Sequence, residues 1–94
     1  MDVRLRVPAA LRQLAGNESA CRVELPGGST VDDLFDVIAS DRPALERRVR
    51  DEQRVLRPHV NLFVGEEDVR GLDGPATVLH PGDEVAIVAA ISGG

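Results

Sequence analysis

The strongest local pattern in the sequence is an amphipathic helix in the first half of the chain, with apolar runs typical of strands on both sides of it. Thr30 predicts the N-cap of this helix, and Asp33 completes an approximate capping box. The apolar residues of one helix face are Val31, Leu34, Phe35 and Ile38. One main helix among strands restricts the chain to a sheet that packs on that helix, which is an α+β architecture.

Alternation of polar and apolar residues predicts strands over residues 1–7 and 19–25, and Pro58 and Gly65 bound a third strand over residues 59–64. An apolar run predicts the last strand over residues 84–89, and a shorter strand is expected at 77–79. The first two are close enough in sequence to pair as antiparallel neighbours, and a right-handed crossover through the helix then places a later strand parallel to the first. We predict one domain over residues 1–94: a roll with one mixed sheet, one main helix and a short second helix that begins at Pro43.

The composition is that of one small folded domain, and it argues against several classes of function. The 94 residues are 43% apolar, which is enough for a single core. A net charge of −5 with only two aromatic residues argues against a nucleic-acid surface. No apolar run approaches the ~20 residues of a membrane span, and no signal peptide is expected, so we predict a cytoplasmic protein.

The polar residues show no pattern of a catalytic or metal-binding site. Cys21 is the single cysteine, which excludes an internal disulfide or a CxxC motif, and we expect it to be buried. His59 and His80 have no cysteine or carboxylate at metal-ligand spacing. Because no Ser/His/Asp, Cys/His or phosphate-loop pattern is present, we predict that the protein is not an enzyme, holds no metal and binds no cofactor.

Arginines are concentrated in the middle of the chain. Residues 41–58 contain six arginines against four acidic residues, so this segment carries +2 while the remainder carries −7. A basic patch for an anionic partner is one interpretation. A solvated surface with intrahelical ion pairs is the favoured one.

The sequence ends in an apolar run followed by Ile91, Ser92, Gly93 and Gly94. Because glycine lacks Cβ, a backbone that ends in two glycines can enter a channel too narrow for other residues. Four residues beyond a strand reach roughly 13 Å when extended. We predict that residues 90–94 form a flexible tail that presents a carboxylate to the active site of a partner.

The second half of the chain resembles a known family. Residues 79–87 contain Leu-x-x-Gly-Asp-Glu-Val, and the apolar strand, small residues and Gly-Gly that follow are similar to the end of the ubiquitin-like sulfur carriers of the MoaD/ThiS type. Residues 59–64 and 67–70 look most like the CysO type of carrier, which serves cysteine synthesis. The resemblance implies a β-grasp (ubiquitin-like) fold.

The resemblance also implies a chemistry for the terminal glycines. An E1-like adenylyltransferase and sulfurtransferase would bind the tail, with Ile91 and Ser92 threaded into its channel and Gly93 next to the reacting group. That partner would use ATP to adenylate the Gly94 carboxylate and convert it to a thiocarboxylate. In the CysO type, a pyridoxal-phosphate-dependent cysteine synthase using O-phosphoserine would take the sulfur, and a metallopeptidase would release cysteine.

Other functions of a β-grasp domain stay open. The chain could be the small, sulfur-carrying subunit of a molybdopterin synthase, or a β-grasp interaction or modifier domain. Alternation also places Phe63 and Val88 on the outer sheet face, with Asn61, Ala86, Arg4 and Arg6. There they would form a candidate partner-docking face, unless Phe63 simply covers one end of the sheet.

Overall fold

Five strands and two α-helices follow one another in residues 1–89, the part of the chain that the computed structural model describes. The strands are β1 (Asp2–Arg6), β2 (Ala20–Glu24), β3 (Val60–Val64), β4 (Glu67–Asp68) and β5 (Glu84–Ala89). The helices are α1 (Val31–Asp41) and α2 (Pro43–Val49), and short 3-10 turns cover Ala9–Ala15, Val69–Gly71 and Gly74–Ala76.

The strands form one mixed sheet in the order β2-β1-β5-β3-β4. β1 pairs antiparallel with β2 and parallel with β5, while β3 pairs antiparallel with both β5 and β4. The predicted hairpin and the predicted parallel return to the first strand are both confirmed. The last strand therefore lies at the centre of the sheet.

Helix α1 covers one face of this sheet, and both its predicted N-terminal cap and its predicted apolar face are present. The Thr30 N–H donates to Asp33 Oδ2 at 2.9 Å, and the Asp33 N–H donates to Thr30 Oγ1 at 3.2 Å, so the capping box is complete. The predicted apolar stripe is buried, as are Leu45 and Val49 on α2 and Cys21 on β2. The core thus lies between the two helices and the inner face of the sheet.

The predicted short strand at residues 77–79 is wrong. Val78 forms only an isolated bridge with Thr30, and the short strand lies instead at β4, where no strand was predicted. Gly65 has a φ of 62°, which permits a tight turn after β3. The chain then returns as β4, a strand of two residues that pairs antiparallel with β3. A strand this short has no alternation that a sequence could show.

Five of the six arginines in residues 41–58 are exposed or partly exposed, as the prediction of a solvated surface requires, but Arg50 is buried. Its guanidinium donates to the carboxylates of Glu46, Asp32 and Asp36 at 2.8, 2.8 and 3.1 Å, and it lies 5.9 Å from the centre of the Phe35 ring. Burial alone would lower the pKa of this guanidinium, but the three hydrogen bonds outweigh it and raise the pKa. Hydrogen-bonded carboxylates offset the cost of burying the charge.

Candidate functional site

The end of β5 is the point from which the chain continues to the predicted tail. Pairing with β1 covers Glu84 to Ala86, whereas pairing with β3 continues to Ala89, opposite Val60. Among the described residues, the last part of β5 therefore pairs with β3 and no longer with β1. The predicted tail residues Ile91, Ser92, Gly93 and Gly94 lie outside the described residues, so their roles stay predictions.

Phe63 and Val88, the residues of the candidate docking face, lie on the outer face of the sheet. Phe63 is opposite Ala86, and Asn61 is opposite Val88, so the predicted sharing of one face is confirmed. Phe63 and Val88 are diagonal neighbours, an arrangement within the reach of an aromatic side chain. Val88 is 45% exposed, while Phe63 is partly buried. The face therefore offers an apolar surface beside the end of β5, and its role in docking stays a prediction.

Charged side chains border this apolar surface on the β1 side. Arg6 lies opposite Ala86 across the parallel pair, and its guanidinium is 3.6 Å from the Glu84 carboxylate. Arg4 lies on the same face, two residues earlier. A partner that covers the face would thus meet an apolar centre with guanidinium groups at its edge.

A guanidinium on the β3 side was not predicted to be part of the site. Arg70 follows β4, and its Nη1 donates to Asn61 Oδ1 at 2.6 Å. Its Nη2 donates to the Val60 carbonyl at 2.8 Å and to the Arg57 carbonyl at 3.3 Å. The backbone N–H of Arg70 donates to Asp68 Oδ1, which orients the turn that carries it. No local periodicity could have found these contacts, because they join residues that are 9 to 13 positions apart.

Among residues 1–89, no three side chains of His, Cys, Asp or Glu are grouped as metal ligands. An open depression of about 470 Å³ lies near the start of β5, the end opposite the tail, and its lining includes the ion-paired Asp2 and Arg22. In the same part of the chain, no helix is long and apolar enough to span a membrane.

Comparison with known proteins identifies the family of the chain. The model of the ThiS family matches residues 5–94, which include β5 and both terminal glycines. The chain belongs to the ThiS family. The family match, the observed sheet order and the similarity to solved structures together confirm the predicted β-grasp fold.

Relatives of this ThiS-family chain include both modifiers and sulfur carriers. Small archaeal modifier protein 3 of Haloferax volcanii is 33% identical over 95 residues, and the match covers 100% of both chains. Sulfur carrier protein CysO of Mycobacterium tuberculosis is 29% identical over 96 residues, again with 100% of both chains. A chain in the crystal structure of the Amycolatopsis orientalis BexX/CysO complex matches with a TM-score of 0.82 and 32% identity, over 98% of this chain and 99% of that one.

These relatives are a small modifier protein and a sulfur carrier protein. CysO is one of several relatives of similar identity, so the family places the chain among sulfur carriers and ubiquitin-like modifiers without separating the two.

Proposed function

We propose that this protein is a sulfur carrier whose Gly94 carboxylate is activated by an E1-like partner with ATP and converted to a thiocarboxylate. The sulfur would then serve the synthesis of cysteine from O-phosphoserine. The match of the family model through residue 94 is the observation that carries this proposal. The protein would act as a substrate of partner enzymes and supply no catalytic group.

The proposed chemistry follows from the properties of a carboxylate. A carboxylate ionised at pH 7 does not react with sulfide, because an oxide ion would have to leave. In the first step, a carboxylate oxygen of Gly94 would attack the α-phosphorus of ATP and release pyrophosphate. Sulfide would then attack the carbonyl carbon of the acyl-adenylate, and AMP would leave with the electrons of the broken bond. The resulting thiocarboxylate would be a nucleophile positioned by its protein.

The described part of the chain supports this proposal through the docking face. Phe63 and Val88 provide an apolar surface beside the end of β5, from which the chain continues toward Gly94. A CysO relative occurs in a complex with BexX, which supports a role for the fold in docking to a partner protein. The cysteine branch is further supported by the whole-length similarity to CysO, and the synthase and metallopeptidase would be its later partners.

A ubiquitin-like modifier is the second candidate. It is favoured by the 33% identity with Small archaeal modifier protein 3. In that case the activated Gly94 carboxylate would form an isopeptide bond with a lysine of another protein, and the leaving group would again be AMP or a partner thiol. The two candidates share the activation step and differ in the nucleophile that follows it.

The intact mass of the untagged protein recovered from its native cell tests the proposal. We expect a species in which one oxygen is replaced by sulfur, together with a C-terminal cysteinyl adduct. Isopeptide adducts on other proteins, without a sulfur-containing species, would favour the modifier. An unmodified mass that persists after ATP, the E1-like enzyme of the same genome and sulfide are added would contradict both candidates.

A further inference from the structure

We propose that Arg70 is a positioning residue that holds the free edge of β3 and thereby fixes the end of β5, from which the predicted tail begins. The inference rests on the proposed function, since the tail is the part of the chain that a partner would bind. It adds a residue outside both the tail and the apolar docking face.

The edge of β3 needs such a group because its outer neighbour is too short. β4 pairs only with Phe63 and Val64, at the far end of β3. The Val60 N–H donates to the Arg57 carbonyl at 3.0 Å, away from β5. In a strand, the N–H and C=O of one residue point to the same side, so the Val60 carbonyl also points to the edge that β4 leaves uncovered.

Arg70 supplies donors where a strand would otherwise supply them. One guanidinium contacts the Val60 carbonyl, the Arg57 carbonyl and the Asn61 side chain, at 2.8, 3.3 and 2.6 Å. Its planar fork of N–H groups can hold several acceptors in a fixed geometry, which an ammonium group cannot do. The same contacts connect β3 to the preceding loop, whose Arg57 N–H donates to the Val49 carbonyl at the end of α2.

The held segment of β3 is the one that pairs with the last described residues of β5. Val60 is opposite Ala89, and Asn61 is opposite Val88, while the pairing with β1 has already ended at Ala86. Loss of the Arg70 contacts would therefore loosen β3 where it pairs with the last described residues of β5. The start of the tail would then sample more directions, and the partner would have to order it upon binding.

This role predicts a specific kinetic signature. The groups that react in adenylation are the Gly94 carboxylate and the α-phosphate of ATP, so the turnover number for adenylation should not change when Arg70 is replaced. The KM for the carrier should rise, because ordering of the tail is required before the reaction. The Arg70→Ala variant should therefore separate KM from kcat.

The experiment compares Arg70→Ala and Arg70→Lys with Arg22→Ala. Arg22 is a matched control, since it is also an exposed arginine of the sheet and pairs with Asp2 at the opposite edge. Amide hydrogen exchange of Asn61 and Val88 is measured by NMR, and KM and kcat are measured by pyrophosphate release with the E1-like enzyme and ATP. In Arg70→Ala we expect exchange at these two amides, and KM, to rise on the order of tenfold. Arg70→Lys should lie in between, and Arg22→Ala should match the wild type.

Two results would overturn the positioning role. Unchanged exchange with a raised KM would mean that Arg70 contacts the partner directly. Faster exchange with an unchanged KM would mean that the contact is only structural. Absence of any activation of the wild type would instead contradict the proposed function, and the exchange measurement would still report whether Arg70 holds the edge.

Discussion

The Nε of Arg50 lies 2.8 Å from Oε2 of Glu46, and these side chains are only 3% and 7% exposed. The two residues are four positions apart across the end of α2, and the same guanidinium reaches Asp32 and Asp36 on α1. One buried cation thus joins the two helices that cover the sheet. Buried charges of this kind stabilise a fold only while all partners are present.

We predict that Arg50→Met lowers the free energy of unfolding by about 3–5 kcal/mol, because it leaves the buried Glu46 carboxylate without its cation. Arg54→Met is the control, since Arg54 also donates to Asp36 but is 63% exposed, and it should cost less than about 1 kcal/mol. The double variant Glu46→Leu/Arg50→Met should recover most of the loss. Urea unfolding measures all three, and equal effects of Arg50→Met and Arg54→Met would contradict the prediction.

The capping box of α1 gives a second prediction about stability. Thr30→Ala removes the acceptor of the Asp33 N–H and should cost about 1 kcal/mol. Asp33→Ala removes the reciprocal acceptor, and the two changes should be non-additive because the side chains cap one helix end together. A double-mutant cycle by thermal unfolding checks this. Strict additivity would show that the two side chains act independently.

The terminal glycines give a prediction that separates function from stability. Deletion of Gly94, or Gly93→Val, should abolish adenylation by the E1-like partner, because the reacting carboxylate is displaced or can no longer pass a narrow channel. The melting temperature should be nearly unchanged, since neither change removes an apolar side chain. Pyrophosphate release and calorimetry measure the two effects. Normal activation of either variant would exclude the tail as the functional element.

The features that sequence predicted well depend on residues close together in the chain. The apolar stripe from Val31 to Ile38 repeats within eight residues, β1 and β2 show polar and apolar alternation, and β5 is an apolar run. The parallel pairing of a later strand with the first was expected from a right-handed crossover through the helix. Fold class and the outer position of Phe63 were therefore accessible without a structure.

The features that sequence missed depend on tertiary contacts. The burial of Arg50 depends on Asp32 and Asp36, which lie 18 and 14 residues earlier in the chain, beyond the reach of a local pattern. The contacts of Arg70 likewise depend on the turn after β4, where no repeating pattern exists. Side chains that bridge elements in this way have to be seen in the folded chain.

The docking face gives the last prediction, and the chain offers a matched control for it. Val88 is 45% exposed beside Phe63, and Val78 is 46% exposed in the loop that bridges to Thr30. Truncation of either valine removes the same two methyl groups from a surface of similar exposure. Their effects on stability should therefore be alike and small, and any difference in activation must come from the partner.

We expect Val88→Ala and Phe63→Ala to raise the KM for adenylation on the order of tenfold, because apolar anchors at the centre of an interface contribute most of its binding energy. Val78→Ala should leave KM unchanged. Steady-state kinetics with the E1-like enzyme measures this, and circular dichroism confirms that each variant is folded. Equal KM values for Val88→Ala and Val78→Ala would mean that the partner does not cover this face, and Phe63 would then serve only to cover the sheet.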